Sequence, residues 1–496
     1  MSTHVPARSE NSSLVGSFSK MIEGQALAAT GAARSPPQSM IDALSATYFQ
    51  YLYHRIPVVD RQDITCANPS TLLIQSVCLA GSILRHPRMT RGVLESEKFY
   101  VRAKTLFYLN DENDPLTTLK AMCLLVLWTV TPPSVVTIDS GWNWLGLAIR
   151  FALQMGLHRE STYSRTSAPG CARRIAWYLY AQDKLNTACF NRPQMLRTED
   201  FDTQLPTLAD FEDPDSDQAR LFILYSKLIT VLARILDVQN RVHTLSSEEV
   251  LSTLSDLKAW VLNLPADLRV FDARGRKIYH RDFYEVLIWY FTCILVYFHV
   301  YGRFFQPADA SRICIVASSC IIRLYQEMDY RDDITYLTAI SNWTMMVASL
   351  PQLNFLGREN FNVNIGDNAS PSDALSLEEL DILIDILTQR VVKNPGAKVI
   401  IDRIQHIKRE PSSHPSPGLG SVARHPTPST YVNIPNVHDL FPFPKELSPR
   451  MELLYTMPEE DLSTGLFDNY ADWQMESLFS LDDINGLFST DIETLL

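Results

Sequence analysis

SGWNWLGLAIRFALQMGLHRE, from Ser140 to Glu160, is the stretch from which the architecture can be read. Trp144, Leu147, Ala148, Phe151, Ala152 and Met155 recur at three- and four-residue spacing, which draws one apolar stripe along a helix of 3.6 residues per turn. Gly141, Gly146 and Gly156 leave room for a second helix to approach closely. The same period continues in both directions. It predicts helices over 69–85, 93–109, 116–129, 141–157, 171–190, 217–242, 247–263, 281–305, 311–328, 334–348 and 376–392. Acids in a first turn, as in Ser247-Glu248-Glu249, mark helix starts. Pro132-Pro133, Pro193, Pro265 and Pro351 are expected to close the helices before them. Alternation of the strand kind is rare, so the chain reads as all-α, a large multi-helix body with unstructured ends.

Composition supports such a body. Of 496 residues, 46% are hydrophobic and 20% charged, an ordinary balance for a chain that buries a core. The net charge is −12, and Met457–Leu496 holds ten acidic residues and no basic one, which leaves about −2 for the rest. A near-neutral body has no basic footprint to release counterions from nucleic acid. The eight cysteines, Cys66, Cys78, Cys123, Cys171, Cys189, Cys293, Cys314 and Cys320, are scattered through apolar segments without a Cys-x-x-Cys pair, the pattern of reduced, buried thiols. Val286–Val300, VLIWYFTCILVYFHV, is short of the ~20 residues a membrane span needs and reads as a core helix.

Four regions follow: an unstructured lead-in over 1–36, the helical body over 37–407, a Pro/Ser-rich linker over 408–456 and an acidic tail over 457–496. The linker has no helical period and is too poor in apolar residues to offset the entropy of ordering.

Two blocks carry a resemblance. The first is Ser140–Glu160 itself, with its Ala148-Ile149-Arg150 core and its Gly156-Leu157-His158-Arg159-Glu160 end. The second is Cys171–Pro206, CARRIAWYLYAQDKLNTACFNRPQMLRTEDFDTQLP, with Arg-Arg-x-x-Trp, an Asp, Asn-Arg-Pro and an acidic turn into Leu-Pro. A weaker third is Tyr51–Ile64, YLYHRIPVVDRQDI. Together they resemble the fungal-specific transcription factor domain, the middle homology region of zinc-cluster (Zn2Cys6) regulators, over about residues 38–357. Asn191 stands where that family usually has Gly. The six-cysteine DNA-binding module of the family is not visible in this sequence. The resemblance implies a nuclear regulator of transcription for a metabolic or secondary-metabolite gene cluster, working through a DNA-binding partner or a homodimer, or else through an upstream zinc-cluster segment.

Read from the residues themselves, Asp183 lies on a mostly apolar helix face and needs a partner if buried. Arg150 and Arg192 are the expected partners. His158 has no His or Cys at ligand spacing and reads as a residue at a helix C-terminus. No Walker loop, dinucleotide fingerprint or nucleophile elbow occurs, so neither an enzyme nor a cofactor is expected. The rival class, a helical enzyme or membrane-associated protein, rests on Val286–Val300 alone. In the tail, Trp473, Met475, Leu478, Phe479, Leu481, Ile484, Leu487 and Phe488 are interleaved with acids, and the pattern apolar-x-x-apolar-apolar occurs twice. Such a segment resembles acidic activation domains that dock a helical stripe on transcriptional coactivators. Ile407-Lys408-Arg409-Glu410 resembles a sumoylation motif at Lys408. Lys408-Arg409 and Arg274–Lys277 are the short basic runs available for nuclear import.

Overall fold

The computed structural model describes residues 16–85, 91–130, 135–238, 245–272, 274–356, 371–409 and 431–455. In chain order the helices are α1 Gly16–Thr30, α2 Gln38–Tyr51, α3 Gln62–Thr65, α4 Thr71–Leu84, α5 Arg91–Tyr108, α6 Pro115–Leu125, α7 Gly141–Gln154, α8 Pro169–Phe190, α9 Asp217–Val238, α10 Ser247–Leu262, α11 Arg281–Tyr301, α12 Pro307–Asp329, α13 Ser341–Leu356, α14 Pro371–Arg390 and α15 Gly396–Arg409. Among the described residues the only extended pairing is an isolated bridge between Phe271 and Lys277. The body is all-α.

Side chains that satisfy orphan amides fix where these helices begin. Ser70, Asp114 and Ser140 accept hydrogen bonds from Leu73, Thr117 and Asn143, and Ser246 closes a reciprocal capping box with Glu249. The end of α7 is equally specific. Gly156 takes a left-handed φ of 78°, its N–H donates to Leu153 O at 3.0 Å, and Leu157 N–H donates to Ala152 O at 3.0 Å. This is a Schellman closure, which explains why Gly-Leu follows the apolar stripe.

Neighbours in the chain pack on one another. α2, α5 and α6 surround α4, α7 and α8 follow, α9 leads to α11, and α12 to α15 stack beyond it. The segment expected from its aromatics to be a core helix is α11, buried from Phe283 to Phe298 without a break. It is the one described helix long and apolar enough to cross a membrane, and 89% of its apolar window lies inside the body.

Several boundaries differ from the expectation. The lead-in is not wholly irregular, because α1 lies within it and packs on α5. α1 is rich in Ala, Gly and Ser, so its apolar signal is weak and only the partner surface makes it legible. α2 and α15 were not foreseen as helices, although Ile400, Ile401, Ile404 and Ile407 of α15 form one buried stripe. Pro351 does not end a helix but lies inside α13, which begins at Ser341, not at Ile334. Burial of both flanks and a hydrogen bond from Ser318 Oγ to Ala348 O hold that helix through its proline.

The linker is corrected most. Residues 431–455 form a strap of short 3-10 turns laid on the body, with Ile434, Leu440, Phe441, Leu447, Met451 and Leu454 buried. Val432 N–H donates to Phe304 O at 2.7 Å, Tyr290 Oη donates to Leu440 O at 2.9 Å, and Phe441 stacks on Phe291. Prolines suit such a strap, since each removes an N–H that would otherwise need a partner.

Gly81 is the tightest helix crossing: a Cβ there would lie 2.1 Å from Leu44 O of α2. Gly81→Ala is expected to push α2 from α4 and cost about 1–3 kcal/mol or more. Thermal unfolding checks it, and an unchanged melting temperature would mean that the crossing is loose.

Candidate functional site

The three sequence blocks meet in space, and buried charges join them. Arg174 of α8 is 2% exposed. Its Nε donates to Pro57 O at 2.8 Å, its Nη2 reaches Asp60 Oδ1 at 2.5 Å, and Nη1 donates to Asp210 O. One arginine thus ties the Pro-Val-Val-Asp block to α8 and to the loop after it. Arg173 turns to the other block, with a bidentate pair to Glu160 at 2.7 and 2.9 Å. Glu160 Oε2 also accepts from Gln204 N–H at 2.8 Å. Leu157 O accepts from both Tyr163 Oη and Thr203 Oγ1. The residues that make the motifs recognisable are therefore the pegs that hold the blocks together. Bidentate guanidinium–carboxylate geometry and carbonyl acceptors are what allow arginines to be buried there.

Asp183 is buried, as its apolar face required, but its partners are not those expected. Its two oxygens accept from the backbone N–H groups of Met195 and Leu196, each at 3.0 Å, with Lys184 Nζ 3.8 Å away. Burial pushes its carboxyl up, and the two amides and the ammonium pull against that rise. Arg150 lies exposed on α7 and donates to Gly146 O of its own helix. Arg192 lays its guanidinium over the Trp142 ring at 4.4 Å. The expected Arg150–Asp183–Arg192 network is thus replaced by a carboxylate that closes a loop. Sequence could not show this, since backbone amides carry no residue label. Asn191, at the departure from the family pattern, has a φ of 49°. It occupies the left-handed turn that Gly would take, and Asn tolerates that conformation better than most residues.

A second buried cluster joins Tyr51–Ile64 to the head of α11, and sequence reasoning missed it. Glu285 receives Arg55 at 3.0 Å and Arg281 at 2.5 Å. Asp282 receives Arg281 at 2.7 Å. His54, wholly buried, faces Asp282 and Glu285 with its two ring nitrogens, each 3.6 Å away. Desolvation acts to raise the Glu285 carboxyl, but Arg281, His54 and Arg55 outweigh it and hold the group well below the ordinary carboxylate range. His54, Asp282 and Glu285 could each offer one ligand atom to a metal ion, all within 4.8 Å of one another. The chemistry of the cluster speaks against a cation. Arg281 already contacts Asp282 Oδ1 and Glu285 Oε1, the very oxygens a metal would need, and Arg55 fills the other side. The signal in the sequence was His54-Arg55 beside Pro57 and Arg281-Asp282 heading an apolar helix, but nothing local pairs the two.

Burial keeps the interior thiols protonated. Burial pushes Cys171 up to about 11 and Cys78 up to about 12, and raises Cys123 well above its ordinary value. His158 is partly buried, with its imidazole pushed down by burial and by Arg159, and its carbonyl accepts from Asp202 N–H. Lys408 lies on α15 in an ion pair with Asp381 at 2.6 Å, and Ile407 beside it is buried. Glu410, the fourth residue of the motif that resembles a sumoylation site, falls outside the described residues. The tail positions Trp473, Met475, Leu478, Phe479, Leu481, Ile484, Leu487 and Phe488 also lie outside them.

Two measurements probe these joints. Asp183→Ala is expected to cost about 3–5 kcal/mol, since it leaves the Met195 and Leu196 amides without an acceptor and the buried Lys184 ammonium without its neighbouring carboxylate; denaturant unfolding with an unshifted midpoint would place Asp183 outside the fold's polar framework. Glu285→Gln is expected to destabilise the protein at neutral pH. Because the folded pKa of Glu285 is depressed, its contribution is complete above the unfolded carboxylate value and is lost as pH falls through the folded one. The stability gap between parent and variant should therefore narrow in strongly acidic solution, and a gap constant with pH would contradict the ion network.

Residues 46–271 match the fungal specific transcription factor domain. The chain is 28% identical over 338 residues to the acetamidase regulatory protein of Aspergillus fumigatus, an alignment covering 64% of this chain and 42% of that protein. It is 26% identical over 354 residues to cutinase transcription factor 1 alpha of Fusarium vanettenii, covering 64% and 38%. Transcription factor cpaR of Aspergillus oryzae is 23% identical over 340 residues, covering 58% and 57%. The chain spans about two fifths of the length of the first two relatives. The matched family and these relatives are transcription factors, not enzymes. The three sequence blocks all lie within the segment that matches the fungal specific transcription factor domain.

Proposed function

We propose that the chain is a nuclear regulator of transcription that controls a metabolic or secondary-metabolite gene cluster through an acidic activation tail. The observation that carries this reading is the match of residues 46–271 to the fungal specific transcription factor domain, whose sequence blocks are joined by Arg173 and Arg174. Relatives named for the regulation of acetamidase and for cutinase transcription support a role in switching on metabolic genes. The near-neutral body favours recognition of DNA through a partner protein or a second copy over direct contact by the body itself.

The tail supplies the output. Its ten acids keep the interleaved aromatics hydrated until a coactivator offers an apolar groove. Trp473, Leu478, Phe479, Leu487 and Phe488 are the anchors, each worth about 1.5–3 kcal/mol on full burial. Acids contribute more to encounter rate than to the bound state.

Met457–Leu496 fused to an unrelated DNA-binding domain is expected to activate a reporter gene in yeast. Replacing the five anchors by Ala should abolish that activity, whereas Asp482→Asn with Asp483→Asn should reduce it only in part. A silent fusion, or an anchor variant as active as the parent, would remove the activation reading.

A further inference from the structure

A cavity of about 760 Å³ opens between α12, α14, the strap and the turn before α11. Its lining is charged, and the charges are unevenly spread. Along its floor α12 presents Arg323, Gln326 and Glu327, spaced by three and four residues and so on one face. At one end Glu327 accepts from Arg331 at 3.2 Å and pairs with Lys277. Two cations thus share one carboxylate there, and Tyr284 adds only a neutral hydroxyl. At the other end Arg323 meets Glu378 at 3.0 Å. The strap brings Glu446 to that same end, because Ser448 hydrogen-bonds Ser319, one turn before Arg323, at 2.8 Å. Lys445 is turned to Glu452, and Glu446 itself enters no ion pair among the described residues. The buried Glu379 lies behind, shared by Arg323 at 3.5 Å and Arg450 at 3.9 Å. Among the lining groups, one end therefore carries a surplus cation and the other a surplus carboxylate.

The geometry points to a binding site for a short peptide with free termini, a di- or tripeptide, its carboxylate at Lys277 and Arg331 and its ammonium at Glu446 and Glu378. A simple anion or a simple cation matches only one of two ends that are opposite in sign. A zwitterion matches both. Span selects among zwitterions. Glu327 follows Arg323 by one turn and Arg331 lies just past the end of α12, so the two ends are about 6–12 Å apart. An α-amino acid carries both charges on one carbon and cannot reach across. Two or three extended residues reach about 7–11 Å. The volume agrees, since cavities of about 300–1,000 Å³ suit small organic ligands. Gln326, between the ends, offers a side-chain amide to a peptide group, and Tyr330, 77% exposed on the lining, offers a ring to a side chain. A bound peptide joins the strap to α12 and to the turn before α11, so it stabilises the folded body by mass action. The site goes beyond the transcriptional reading and does not depend on it.

Calorimetric titration of the full chain with trialanine tests this. Binding is expected, and N-acetyl-trialanine and trialanine amide should each bind at least about fivefold more weakly. Glu446→Gln, at an exposed position, should weaken trialanine about fivefold and leave the N-acetylated peptide unchanged. Arg331→Gln should weaken trialanine likewise and spare the amide. Thermal unfolding gives a second readout, with a melting temperature that rises with trialanine in the parent and less in either variant. No heat with trialanine up to about 10 mM, or equal affinity for free and blocked peptides, would overturn the site. So would variants that bind trialanine as the parent does. Alanine or 6-aminohexanoate binding as tightly as trialanine would overturn the assignment to a peptide.

Discussion

A helix that is apolar on every side can be stable in water only if other elements enclose it, and α11 is such a helix. Its run of buried residues from Phe283 to Phe298 has no solvent face to give up. Most of the surrounding architecture answers to it. α9, α10, α12 and α13 pack around it, and the strap over 431–455 closes the side that the helices leave open. A segment rich in Pro and Phe can do this because it brings few amides that need partners and several rings that need burial. The same enclosure explains why a helix of membrane-like composition belongs to the core.

Enclosure alone does not choose one arrangement, since apolar surfaces slide. Buried charges supply the register. At the head of α11, Arg281, Glu285 and Asp282 meet His54 and Arg55 from the Tyr51–Ile64 block. Around α8, Arg174 meets Asp60 and two backbone carbonyls, and Arg173 meets Glu160. Each of these groups would be costly if unpaired, so any sliding that parts them is penalised. The polar pegs and the apolar helix are thus complementary. One sets compactness, and the other sets which compact state is adopted.

This division bears on function. The recognisable residues of the matched segment hold the body together. Among the described residues, burial raises the thiols of Cys78, Cys123 and Cys171. On the outside, the strap over 431–455 is anchored in the core through Tyr290 and Phe291. The strap carries the ordered body past the end of α15 to Tyr455.

Much of the architecture was legible in the sequence because periodicity is a local property. The stripe from Trp144 to Met155 and the apolar run from Val286 to Val300 announce helices without reference to anything distant. The family resemblance was legible too, since its blocks are contiguous. What only the tertiary structure decided is pairing. Asp183 takes the amides of Met195 and Leu196 in place of an arginine, because backbone groups are acceptors and donors that no residue letter marks. His54 and Glu285 meet across more than two hundred residues of chain. Pro351 stays helical because packing outweighs one missing hydrogen bond. The stretch over 431–455 looks unable to fold because by itself it is, and it becomes ordered only where Tyr290, Phe291 and Phe304 provide the surface that its rings and carbonyls need.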